Sequence, residues 1–109
     1  MTENPILQPK AVFDCFSAIC QVPHPSKREE KMIAFLQDFG KNLGLETLVD
    51  KTGNVLIKKP ATAGMEGRKT VVLQSHFDMV CEKNNDTVFD FDNDAIQTYI
   101  DGEWLKAKG

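Results

Sequence analysis

The chain has 109 residues, 41% of them hydrophobic and 27% charged, with a formal net charge of −3. Counting glycine, the apolar share is about 47%, a globular value that excludes a disordered, collagen-like or low-complexity chain. The length holds one domain at most. No basic face for nucleic acid is present, and no apolar run approaches the ~20 residues of a membrane helix.

Met1-Thr2-Glu3-Asn4-Pro5 has no positive charge and no apolar stretch after it, so no secretory signal is expected. Cys15, Cys20 and Cys81 make an odd and sparse set. A disulfide scaffold needs more, and all three are expected as reduced thiols of a cytoplasmic protein, acting as small hydrophobes.

Residues 1–8 read as a loose leader. Pro9 suits the first turn of a helix, and Val12, Phe13, Phe16, Ile19 and Cys20 follow at helical spacing. Pro23 and Pro25 require that helix to end by Val22. Ser26-Lys27-Arg28-Glu29 has the form of a capping box for a second helix. That helix carries Met32, Leu36, Phe39 and Leu43 on one stripe, widened by Ile33 and Phe35. Gly44 is a natural left-handed stop.

The period then changes. Leu45 to Val49 and Val55 to Ile57 read as a pair of strands joined by the turn Lys51-Thr52-Gly53-Asn54. Pro60 to Lys69 is a surface loop. Thr70 to Ser75 has a continuous apolar centre, the pattern of a central strand covered on both faces, and His76-Phe77-Asp78 sits at its carboxyl end. Asn84 to Asp94 is an acidic loop. Thr98 to Leu105 is a hairpin with Asp101-Gly102 as its tight turn. The order predicts an α/β layered architecture with a mixed sheet. No helix follows the apolar strand to cover it, so the sheet is expected to be unfinished at Gly109.

His76 and Asp78 are the first candidates for chemistry. Alternate residues of a strand share a face, and a strand's carboxyl end points into the crevice where open α/β sheets bind ligands. A neutral imidazole there can ligate a metal, with a carboxylate on its other ring N–H fixing the tautomer. The plain alternative is a loop histidine beside a solvated aspartate. His24, between two prolines, reads as a rigid loop histidine with solvent contacts. Cys15, Cys20 and His24 lack the spacing of a structural zinc site. Asp90-Phe91-Asp92-Asn93-Asp94 has the opening of a calcium loop, but Ala95 stands where glycine is required and Asp101 where a bidentate glutamate is. It reads as a solvated acidic loop. No phosphate-binding loop is present, and Ser17, Ser26 and Ser75 lack a nucleophile-elbow context.

Three stretches together resemble a known family: Val22 to Lys31 opening the long helix, the turn Asp50 to Val55, and the strand Val71 to Val80 ending in His-x-Asp. In order and spacing they resemble the amino-terminal part of the bacterial aminoacyl-histidine dipeptidases. Those are a branch of the zinc peptidases and aminoacylases that include carboxypeptidase G and peptidase T. The resemblance covers nearly the whole chain. It implies that residues 1–109 are the opening part of an α/β/α layered catalytic domain, truncated before its lid or dimerisation domain.

The resemblance also implies site roles. His76 becomes a ligand of one of two zinc ions, with cobalt or manganese as substitutes. Asp78 becomes the catalytic-site acid that orients His76. In the family a water bridges the metals and a glutamate serves as general base; that residue and the other ligands lie beyond Gly109. The implied substrate is a dipeptide with a C-terminal histidine. The implied parent is a cytoplasmic homodimer, with no nucleic acid or membrane partner. The chain alone is expected to be inactive and to self-associate through its uncovered strand. The competing reading is a small α/β binding or interaction module without catalysis.

Overall fold

A computed structural model describes residues 7–109 of the chain. The expected leader at 1–8 therefore falls largely outside the described residues. Two helices and four strands follow in order: α1 Lys10–Cys20, α2 Glu30–Asn42, β1 Glu46–Val49, β2 Val55–Lys58, β3 Thr98–Asp101 and β4 Trp104–Ala107. The chain divides into two compact units, residues 7–32 with 78–109, and residues 33–77.

In the second unit, α2 ends as its sequence dictates. Gly44 takes φ +71°, its N–H donates to Lys41 O (2.9 Å), and Leu45 N–H donates to Gly40 O (2.9 Å). These two bonds are the paired closure of a Schellman motif, which satisfies carbonyls the helix would otherwise orphan. β1 and β2 pair antiparallel, Glu46 with Lys58 through Val49 with Val55. Asp50 builds the turn between them. Its carboxylate accepts from the N–H groups of Thr52 and Asn54 (2.9 Å each) and from the Asn54 side-chain amide (2.8 Å). Those bonds, the Asn54 amide first, hold the Asp50 carboxyl below the ordinary aspartate range.

In the first unit, α1 runs from Pro9 at its N-cap to Cys20, within the limit set by Pro23. Cys20 is buried, while Val12, Phe16 and Ile19 of the same apolar stripe are exposed. β3 and β4 form the expected second hairpin with its turn one residue later than read. Asp101 pairs with Trp104, so Gly102-Glu103 is the two-residue loop. Gly102 takes φ +60° and Glu103 does not share the positive φ. One left-handed residue at the first loop position is the type II′ turn, whose glycine comes first.

The sheet differs from the expectation. The mixed sheet is not formed among the described residues: the strands make two separate antiparallel pairs, and the one parallel pairing is a single bridge, Pro25 with Met79. Thr70 to Ser75 is not a strand. Val71, Val72 and Leu73 are 78%, 77% and 93% exposed. A central strand exists through ladder partners on both edges, and apolar β propensity does not replace them.

The capping box also differs. Ser26 spends its hydroxyl elsewhere, and Glu29 accepts from the Lys27 N–H (2.7 Å) instead of reaching back to Ser26. Lys27 sits at φ +70°, a conformation that disfavours a side-chain-bearing residue, and α2 starts only at Glu30.

Candidate functional site

The segment between the helices carries buried and hydrogen-bonded polar groups. Pro23 and Pro25 fix its backbone, and His24 and Pro25 are both buried. The His24 ring is turned inward, with Nδ1–H donating to Val22 O (2.6 Å). The solvent-facing loop histidine expected from sequence is thus replaced by a buried ring satisfied by the backbone.

Residues 78 and 79 lie along this segment. Met79 N–H donates to His24 O (2.9 Å) and Ser26 N–H donates to Met79 O (3.0 Å). This ladder brings Asp78 to Ser26, whose hydroxyl donates to Asp78 Oδ2 (2.7 Å). Met79 O lies 3.2 Å from the same hydroxyl. The carboxylate is the closer and stronger acceptor. Asp78 is half-buried, and it is a residue the sequence singled out. The local sequence gives Ser26 the form of a helix cap, and no local signal links it to a residue 52 positions away.

His76 is exposed, at the end of the unpaired apolar segment. Among the described residues no group of three or more His, Cys, Asp or Glu side chains could hold a metal ion. A catalytic zinc takes three protein ligands. The donors at this place are one imidazole and a carboxylate two residues on, which is short of a whole metal centre.

The acidic loop satisfies itself. Asp90 accepts from the Asp92 N–H (2.9 Å) and the Asn93 amide (2.8 Å), and its own N–H donates to Asp94 Oδ2 (2.8 Å). The Asn93 amide first, then the Asp92 N–H, hold Asp90 below the ordinary range. Arg28 pairs with Asp92 (2.6 Å), and Lys31 donates to Asp92 O (2.5 Å) and Asn93 Oδ1 (3.2 Å). The loop oxygens are thus turned onto amides and cations of the chain itself. Cys15, Cys20 and Cys81 are free thiols, and burial pushes the Cys20 thiol up, away from reactivity. No described helix is long and apolar enough to cross a membrane.

No family model matches the chain. Over all 109 residues it is 54% identical to the cytosol non-specific dipeptidase of Escherichia coli strain K12, covering 22% of that protein. Among solved structures it matches the aminoacylhistidine dipeptidase from Vibrio alginolyticus with a TM-score of 0.93 and 51% identity. That match covers 99% of this chain and 22% of the other. The chain thus spans about a fifth of the length of the relatives it matches. In both sequence and fold, it is similar to a segment of these dipeptidases.

Proposed function

We propose that this chain is part of a metal-dependent dipeptidase, in which His76 provides a zinc ligand and Asp78 orients it. The observation that supports this best is the likeness of the whole of this chain to 22% of each of two dipeptidases. The His-x-Asp segment at 76–78 lies within the matched span. The substrates are dipeptides, with Xaa-His dipeptides among them, in keeping with the name of the solved relative. The compartment is the cytosol, as in the name of the other. Zinc is the metal proposed, with cobalt or manganese able to replace it at nitrogen and carboxylate ligands. The whole enzyme is proposed to be a homodimer.

The roles divide by chemistry. A neutral His76 offers one ring nitrogen to the metal. Asp78 accepts the N–H of the other, which fixes the tautomer and strengthens the ligating nitrogen. When bound, zinc supplies Lewis acidity toward water and toward the scissile carbonyl. The remaining ligands and the general base come from residues other than those described.

The test is His76→Ala in the full-length protein that carries this chain. Hydrolysis of Xaa-His dipeptides should vanish and bound zinc should fall. Full activity with undiminished zinc would overturn the proposal and leave the binding-module reading.

A further inference from the structure

We infer that Ser26 is a positioning residue for this chemistry, its hydroxyl fixing the orientation of the Asp78 carboxylate. The inference rests on the roles proposed above for His76 and Asp78. Its basis is the 2.7 Å hydrogen bond from Ser26 Oγ to Asp78 Oδ2 and the frame that holds both ends. On the Ser26 side, Pro25 is fully buried and His24 is pinned to Val22 O. On the Asp78 side, the neighbouring Met79 is tied through both N–H and C=O to His24 and Ser26. These backbone bonds set where the aspartate Cα lies. The rotation of its carboxylate answers to side-chain contacts, and the Ser26 hydroxyl bond is one at short, charge-assisted distance.

The local sequence supports a role beyond folding. Ser26 stands where a capping hydroxyl would serve α2, yet it is turned to Asp78 while Lys27 takes a left-handed backbone and the helix starts at Glu30. A local preference overridden in this way marks a position answering to another constraint. A carboxylate that must receive a ligand imidazole at a fixed angle is such a constraint, because the groups behind a ligand set its geometry.

The experiment uses the full-length protein that carries this chain, with zinc affinity measured by competition against a chromophoric chelator. Ser26→Ala should weaken zinc binding about tenfold. Ser26→Thr, which keeps the hydroxyl, should restore it. In an Asp78→Ala background, Ser26→Ala should add nothing, since its effect runs through that carboxylate. If Ser26→Ala does not fold, Ser26→Cys keeps the size with only a weak donor and takes its place. Unchanged zinc affinity, or an effect that simply adds to that of Asp78→Ala, would overturn the inference. If His76→Ala loses zinc while Ser26→Ala keeps it, the inference about Ser26 alone falls. If His76→Ala keeps zinc, the underlying reading falls.

Discussion

Gly40 of α2 and Thr47 of β1 touch so closely that a side chain at position 40 has no room. A Cβ there would overlap Thr47 Oγ1 and come within 3.1 Å of Thr47 Cβ and 3.2 Å of Ile57 Cγ1. The hairpin therefore lies directly against helix backbone, and the Thr47 hydroxyl is held in place by its bond to Leu45 O (3.1 Å). Glycine here provides close approach, at a position where helix propensity alone would favour alanine. Gly40→Ala should destabilise the protein by about 1–3 kcal/mol through overpacking. Combining it with Thr47→Ala should recover part of that loss, because the overlapped oxygen is gone. Urea unfolding of the two single variants and the double checks this, and strictly additive losses would refute the contact.

Asp50 makes a pH prediction. Its folded-state pKa is lowered, first by the Asn54 side-chain amide and then by the Asn54 backbone N–H. A lowered carboxyl contributes stability above its unfolded value of about 3.9 and loses it as pH falls through the folded value. The β1–β2 turn should therefore weaken below about pH 4. Asn54→Ala should move the Asp50 titration back up. Carboxyl NMR titration reads both, and an Asp50 that titrates at or above the ordinary aspartate value would contradict the turn geometry.

Local chemistry made most of the fold legible. Gly44 stops α2, and the Asp-Gly pair places the second hairpin to within one residue. Each of these signals acts over a few positions. Where the reading changed, local pattern did not decide the outcome. Residues 70–75 carry the composition of a central strand, but a strand is made by its neighbours. Ser26 carries the pattern of a cap, but its acceptor is 52 residues away. The candidate site divides in the same way. His76 and Asp78 stand out by spacing and by their place after an apolar run, whereas the hydroxyl that grips Asp78 emerges only when the chain is folded.

The exposed run Val71-Val72-Leu73 predicts association. Fully burying one such side chain is worth about 1.5–3 kcal/mol, and three lie exposed in sequence. The 109-residue chain on its own should therefore self-associate in a concentration-dependent way. Val72→Lys should shift it toward monomer by placing a charge in the contact. Light scattering that shows a monomer at every concentration for the unmodified chain would refute the prediction.

Asp78→Asn separates the orienting role proposed for the carboxylate from the ligand role proposed for the imidazole. The substitution keeps the shape of the side chain and an oxygen able to accept the Ser26 hydroxyl. It removes the negative charge that, in the proposed arrangement, strengthens His76 as a ligand. Turnover in the full-length protein should fall about 10–100-fold, the usual cost of losing a carboxylate behind a metal-binding imidazole, while zinc still loads when supplied in excess. His76→Ala removes the nitrogen proposed to bind the metal and should leave no measurable turnover at any zinc concentration. The pair is therefore diagnostic: a graded loss at 78 and a complete loss at 76. Unchanged turnover in Asp78→Asn would remove Asp78 from the mechanism, because neither charge nor tautomer control would then matter to the reaction.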